Sequence, residues 1–575
     1  MDHMKFESPD MVQGNIEKIE ALFPNCVTET RGEDGKLKKA VNFDMLRQML
    51  SGDVAEGDEA YEFTWVGKKA AIVEANKPIR KTLRPCPEES VNWDTTENLY
   101  IEGDNLEVLK LLQESYLGKV KMIYIDPPYN TGNDFIYRDD FAIKSDEYEE
   151  QLGVFDEETG DRLFKNTDSN GRFHSDWCSM IYSRLVLARN LLKKDGVIFI
   201  SIDDGEVDNL RKICNEVFGN SNFISDLIWQ KKFSRSNDAT YFSTMHDHVL
   251  CYCKNNVMQD PEGWKIGLLP RGDEIPAGYA NPDNDPRGVW TSVILSAKSG
   301  SSSLLYEIKT PSGRIVMPPS GRYWSCSKDT FEKWRTDNRI WFGADGNGTP
   351  RKKTFLSEVQ AGLRPNSILF QEEAGNNQEA KQETKALFDG IGVFDGPKPV
   401  RLLKLLCTIA NLNDNDIVLD FFSGSATTAH AVMELNADNH TNRSYILVQL
   451  PEKCDEQSEA FRTGFKYITD IGKERIRRAG KKIKDDSPLT TQNLDIGFRV
   501  LKVDDSNMTD VFYSADKYDQ LSLDEMESKI RHGRKFCVSD IRQSQEWRCG
   551  NRAKIGLNPL RTTTPEVRSG MHASA

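Results

Sequence analysis

The chain has 575 residues, 38% hydrophobic and 29% charged, with a formal net charge of −14. That length exceeds one hydrophobic core and fits roughly three to four domains, and no apolar run approaches the ~18 residues of a membrane span. The eleven cysteines are scattered, with only Cys251 and Cys253 close together, a spacing that matches neither a zinc site nor a disulfide framework.

No secretory pattern opens the chain, so a reduced, cytoplasmic setting without a metal is the default expectation. The acidic balance argues mildly against nucleic acid, but a sum says nothing of distribution. Basic clusters occur at Lys231, Lys232 and Arg235, at Arg351, Lys352 and Lys353, and from Lys473 to Lys484.

Residues 1–92 read as a polar, helical, oligomerising extension, with a Glu-rich stretch (Glu56 to Glu62) and a basic, linker-like segment from Lys77 to Pro87. A βα rhythm follows over 93–254. Leu99-Tyr100-Ile101 is a strand, Gly103-Asp104-Asn105 a loop, and Leu106, Leu109 and Leu112 mark one helix face. Met122 to Ile125 is a buried strand. After a polar segment (132–172), a helix is expected from Ile181 to Leu192, with Gly196 turning it into the strand Val197 to Ile200. A helix (Val207 to Phe218) and a strand (Phe223 to Trp229) come next. Strands alternating with helices imply a parallel α/β sheet. Between 255 and 390 the rhythm breaks into short alternating segments rich in Gly, Pro, Ser, Asn and Trp, which read as an inserted β- and loop-rich module. It resumes over 391–500 with strands Ile417 to Leu419 and Tyr445 to Leu450. Residues 501–575 form a C-terminal region. Its last part, Arg531 to Ala575, carries nine Lys/Arg against three Asp/Glu. That tail reads either as out of frame with an ancestral coding sequence or as a basic extension touching DNA.

Two strand ends carry the chemistry. Asp126-Pro127-Pro128-Tyr129 follows an apolar strand directly, and two prolines cannot continue a ladder. An acid, a rigid turn and an aromatic ring then face a cleft, a set suited to gripping a flat, amine-bearing ligand. Downstream, Ile417 to Ala429 gives a strand, Asp420, the small-residue turn Phe421-Phe422-Ser423-Gly424-Ser425, and a helix start at Thr427. Small residues admit close backbone approach, and the helix end offers free N–H groups. Neither G-x-G-x-x-G nor a P-loop lysine is present, so phosphate binding is unsupported. The turn fits S-adenosylmethionine better.

Together the two motifs resemble the amino-group DNA methyltransferases. The order, with the catalytic motif first, a variable module next and the cofactor turn last, is that of the permuted β-class. Phe394-Asp395-Gly396-Pro397-Lys398-Pro399, Gly103 to Leu109 and Ser201-Ile202-Asp203-Asp204 extend the likeness. Trp324, Arg339 to Gly343, Pro350-Arg351 and Phe355 to Glu358 resemble the recognition module of Type III restriction-modification Mod subunits. The resemblance implies a Rossmann-like, circularly permuted S-adenosylmethionine-dependent α/β sheet with an inserted target-recognition domain and a helical N-terminal extension. It also implies double-stranded DNA as substrate, a homodimer, and a Res helicase-nuclease partner.

On this reading the target base is flipped out of the duplex. The Asp126 carboxylate and the Pro127 carbonyl accept hydrogen bonds from the base amine, Pro128 fixes the carbonyl direction, and Tyr129 stacks on the base. Asp420, Phe421, Gly424, Ser425, Thr427 and Asp104 are expected around the cofactor, with Lys398 at its carboxylate. Gln449, or Glu452 three residues on, stands where an acid usually meets the ribose. Ala426 occupies a place where glycine is common, which implies ordinary backbone there, and His430 is expected to pack under the turn. The opening Asp126 favours adenine N6; cytosine N4 and a catalytically impaired specificity subunit are the alternatives.

Overall fold

The computed structural model describes residues 63–132, 135–137, 163–166, 170–235, 237, 239–271, 275–359 and 362–506, with short N-terminal stretches (2–4, 9, 11–23, 26–31, 37–43, 46) and 511–513. The Glu56–Glu62 stretch, most of 132–172 and the basic tail from Arg531, with Cys537 and Cys549, lie outside the described residues.

The chain divides into two compact units. The first holds residues 1–264, 368–404 and 413–575 and is built on one ten-stranded sheet. Its strands are β1 (Lys81–Pro85), β2 (Leu99–Glu102), β3 (Val120–Ile125), β4 (Leu192–Ile202), β5 (Phe223–Gln230), β6 (His246–Cys253), β7 (Ile368–Leu369), β8 (Ile417–Asp420), β9 (Ser444–Gln449) and β10 (Arg499–Asp505). They run in the order β7-β5-β6-β4-β3-β8-β9-β2-β10-β1. The six from β4 to β10 are mutually parallel; β6 and β1 are antiparallel to their neighbours. β3 is buried along its whole length, as a parallel strand covered on both faces must be.

The helices are α1 (Lys68–Asn76), α2 (Asn105–Tyr116), α3 (Phe173–Leu191), α4 (Val207–Phe218), α5 (Asn377–Leu387), α6 (Val400–Ile409), α7 (Thr427–Asn439) and α8 (Ile468–Asp486). α2 carries the chain from β2 to β3 and α3 from β3 to β4, both toward one edge; α7 and α8 carry it from β8 to β9 and on to β10, toward the other. Right-handed crossovers therefore place the two helix groups on opposite faces. α1, α2 and α4 each pack on α3, and α8 packs on α5 and α7. The direction reverses between the adjacent strands β3 and β8, and open α/β sheets hold ligands at the carboxyl ends of such a reversal.

Several elements differ from expectation. Lys81–Pro85, read as linker, is an edge strand on β10, a place that tolerates proline. The helix ahead of β4 begins at Phe173, not Ile181, and Leu192–Ile202 is strand throughout, so Gly196 lies within it. Val27–Arg31 and Leu37–Val41 add an antiparallel strand pair to the extension.

The second unit holds residues 265–367 and 405–412. A three-stranded sheet (Trp290–Ile294, Arg351–Phe355, Ile340–Trp341), two short two-stranded ladders and a helix (Lys328–Thr336) enclose Leu295, Trp324, Phe331 and Phe342. Lys353 is fully buried in an ion pair with Asp283 and lies 3.3 Å from Asp285. Residues 368–390 group with the large sheet: Ile368–Leu369 pairs beside β5, and α5 packs on α8.

Candidate active site

The tetrapeptide leaves the sheet at the end of β3 and closes on itself. The Tyr129 hydroxyl donates to Asp126 Oδ1 at 3.0 Å. Burial, then the adjacent Asp126 carboxylate, push this phenol well above its ordinary range, so it remains a donor. The fully buried Trp177, on α3, donates its indole N–H to the Pro128 carbonyl at 2.7 Å. Asn130 next adopts left-handed backbone at φ 60°. Its amide donates to Glu206 Oε1 (2.6 Å) and accepts from Asn166 Nδ2 (2.8 Å), while His174 Nδ1 meets the same Glu206 oxygen at 2.6 Å. Three segments, α3 and those of Asn166 and Glu206, thus fix where the tetrapeptide points.

Lys398 enters from the segment before α6. Its ammonium pairs with Asp126 Oδ2 and lies 5.2 Å from the centroid of the Tyr129 ring. Asp126, Tyr129 and Lys398 therefore meet at one point.

The turn after β8 sits on the neighbouring strand. Asp420 is buried; Oδ1 accepts the Phe422 N–H (3.1 Å) and Oδ2 the Thr428 hydroxyl (2.6 Å). Burial raises its pKa to about 7, with the Asp126 charge adding to the rise. Both oxygens hold the turn onto the first residues of α7. The Phe421 carbonyl accepts the Asn105 amide at 2.9 Å. Gly424, at φ 49°, gives its N–H to Gln449 Oε1 at 2.8 Å, and a Cβ there would stand 3.2 Å from the Phe394 ring. Ser425 Oγ accepts from the buried Arg475 guanidinium at 2.8 Å and lies 3.4 Å from the Thr427 hydroxyl.

Ala426 corrects an expectation. It is left-handed, at φ 63° and ψ 36°, and forms the N-cap position of α7 with no side-chain cap. The conformation that glycine adopts freely is imposed here on alanine, at a cost of roughly 1 kcal/mol.

Gln449 and Asp104 take positions at the ends of β9 and β2. Gln449 is buried and spends its oxygen on Gly424; its nitrogen lies 3.4 Å from Glu452. Asp104 caps α2, accepting the N–H groups of Leu106 (2.8 Å) and Glu107 (3.3 Å), and its other oxygen is 3.7 Å from the buried Arg184. Arg184 in turn grips Asn105. His430 packs within α7 against Glu434 at 3.2 Å.

Trp177, Asn105, Arg475 and the Asn130–Glu206–His174 group were not singled out from sequence. Asn105 alone had a local signal, standing beside the Gly103-Asp104 pair at the mouth of a helix.

A parallel sheet that sets an Asp-Pro-Pro-Tyr turn beside a small-residue turn at its reversal point defines a DNA methylase. The DNA methylase family model matches residues 120–479, and the chain belongs to that family. Among its relatives are Type III modification subunits. The StyLTI Mod subunit of Salmonella typhimurium is 34% identical over 496 residues, 84% of this chain and 73% of that protein. The Escherichia coli EcoP15I Mod subunit is 31% identical over 556 residues, 88% of this chain and 82% of that one. A solved cytosine-N4-specific PvuII DNA methyltransferase aligns over 67% of this chain and 94% of its own, at 12% identity and a TM-score of 0.31. Among the described residues, no helix is long and apolar enough to cross a membrane.

Proposed function

We propose that this chain is the modification subunit of a Type III restriction-modification system, methylating the exocyclic N6 of a flipped adenine in duplex DNA with S-adenosylmethionine. The observation that carries the reading is the placing of Asp126 at the end of β3, one strand from the Gly424 turn, within a chain that aligns with a Mod subunit over 84% of its length.

The cofactor fits the second turn. Gly424 leaves space beneath Phe394 that a side chain would fill, and α7 presents N–H groups without a side-chain cap. Phe421, Gly424, Ser425 and Thr427 would hold the methionine end, as the carboxylate of an amino acid suits a helix N-terminus. Asp420, Gln449 and Asp104 support that cradle through the hydrogen bonds they make to the turn and to α2. Glu452 is the acid available for ribose hydroxyls. When bound, the cofactor supplies an electrophilic methyl group.

The protein's own part is to prepare the amine. Asp126 and the Pro127 carbonyl accept its two hydrogens, which localises a lone pair otherwise delocalised into the ring. Asp126 stabilises the positive charge that grows on nitrogen. Lys398, paired with Asp126, yields that carboxylate to the amine and turns toward the methionine carboxylate. Tyr129 offers its ring to the base while its hydroxyl steadies Asp126. No covalent enzyme intermediate and no cysteine is required.

The second unit is the target-recognition module, the N-terminal extension serves dimerisation, a Res helicase-nuclease is the partner, and the setting is cytoplasmic. Labelled methyl transfer to DNA followed by nucleoside analysis tests the reading. N6-methyladenine is expected; N4-methylcytosine would make the chain a cytosine enzyme, and no product would make it a specificity subunit alone.

A further inference from the structure

A second group of chemistry-bearing side chains stands on the large sheet outside the tetrapeptide and the cofactor turn. β6 opens with His246-Asp247-His248. Alternation along a strand puts the two histidines on one face and Asp247 on the other. His248 lies directly across from Ile202 of β4 and Ile228 of β5. Asp204, two residues past Ile202, and Asp226, two before Ile228, therefore share the histidines' face. Three adjacent strands thus deliver two imidazoles and two carboxylates to one spot.

The distances follow. His248 Nε2 is 3.0 Å and His246 Nε2 3.7 Å from the same Asp204 oxygen, Oδ1. The ligating atoms of Asp204, His246 and His248 all lie within 4.8 Å of one another. Bond lengths of ~2.0–2.1 Å in a tetrahedral centre imply ligand separations of about 3.3–3.4 Å, between those two distances. His248 Nδ1 faces Asp226 Oδ2 at 2.9 Å. A carboxylate on the far ring nitrogen fixes the tautomer and aims the other nitrogen's lone pair into the site, as the outer partner of a metal-bound histidine does.

We infer that Asp204, His246 and His248 bind a divalent transition metal of the zinc type, with Asp226 as the outer partner of His248. Two imidazoles and one carboxylate suit zinc, cobalt or nickel better than magnesium or calcium, which prefer oxygen throughout. The His248 side chain is 13% exposed, His246 38% and Asp204 63%, so the site opens to solvent on the Asp204 side. It has a way in and a free fourth position. The strand it pins carries Asp247 on the opposite face, where that buried carboxylate pairs with Lys231 at 2.5 Å and feels the charges of Asp126 and Lys398. The metal therefore steadies an element that borders the tetrapeptide without touching the reacting atoms.

The test uses the full, untagged chain stripped with chelator. Zinc is titrated calorimetrically, and cobalt is followed by its visible d–d absorption. One ion per chain is expected, with a tetrahedral cobalt spectrum. H246A and H248A should each weaken binding at least ~100-fold, and Asp226→Asn by ~10–100-fold, with circular dichroism unchanged. If H248A does not fold, H246A, on the exposed rim, carries the test. Absence of saturable binding, or affinities that agree within a few-fold across wild type, H246A and Asp226→Asn, would overturn the site and leave His248 as a plain hydrogen-bonded bridge between two aspartates.

Discussion

Lys398 and Asp126 form an ion pair although 272 residues separate them in the chain. The pair joins the segment before α6 to the end of β3, so the two halves of the permuted sheet complete one charge centre. Neither half holds it alone.

Asp126 is the group whose charge the reaction needs. Asp126→Asn keeps its shape and its hydrogen bond from Tyr129 but removes the charge that meets a growing cation. Methyl transfer in single-turnover assays should fall by about 10²–10³-fold, the usual cost of losing one preorganised electrostatic partner. Asp126→Ala should abolish it. Equilibrium binding of cofactor and DNA should stay within a few-fold; transfer surviving in the alanine variant would remove Asp126 from the chemistry.

Trp177 acts on the same turn from behind. Trp177→Phe keeps most of the apolar volume but leaves the Pro128 carbonyl without its donor. An orphaned, part-buried acceptor costs about 1 kcal/mol, the low end of the range for a buried one, to be read by denaturant unfolding. The loosened turn should also lower kcat more than it raises KM for DNA. A loss of stability with kcat intact would make Trp177 a core residue only.

Gln449 holds the cofactor turn by one bond. In Gln449→Leu the Gly424 N–H loses its acceptor, and the turn is no longer fixed before the cofactor arrives. Calorimetry should show S-adenosylmethionine affinity reduced by about 5- to 100-fold, the equivalent of ~1–3 kcal/mol. Gln449→Glu, which keeps an acceptor, should retain more of the affinity. Equal affinities in all three proteins would exclude the bond from cofactor binding.

What the sequence made legible followed from strong local rules. Two prolines end β3 wherever it lies, and an apolar strand running into Asp420 and small residues announces a turn. What it hid was set by tertiary context. Alanine gives no cue that residue 426 is left-handed; that conformation is imposed by Asp420 gripping both Phe422 and Thr428. Lys81–Pro85 carries the basic, proline-bearing composition of a linker, and its strand character exists only because β10 offers an edge. Ile368–Leu369 is too short for any periodicity to reveal. Trp177 lies 49 residues from the carbonyl it holds, and nothing near it in sequence marks that partner.

Glu452 offers a test through pH. It stands just past β9, beside the Gln449 side chain, and burial raises its pKa from an ordinary 4.5 to about 7. The folded protein therefore binds this proton more tightly than the unfolded chain does. Stability from this group is fullest below the unfolded pKa, declines as pH rises from about 4.5 to 7, and stays low above that. Glu452→Gln removes the titration. The variant should match wild type near pH 4 and exceed it at pH 8 by about 1–2 kcal/mol, the side chain being only partly screened from solvent. Asp420, also raised to about 7 by burial, titrates in both proteins and cancels in the comparison. Denaturant unfolding at the two pH values reads the difference directly, and a difference that does not change with pH would show that Glu452 is not the titrating group.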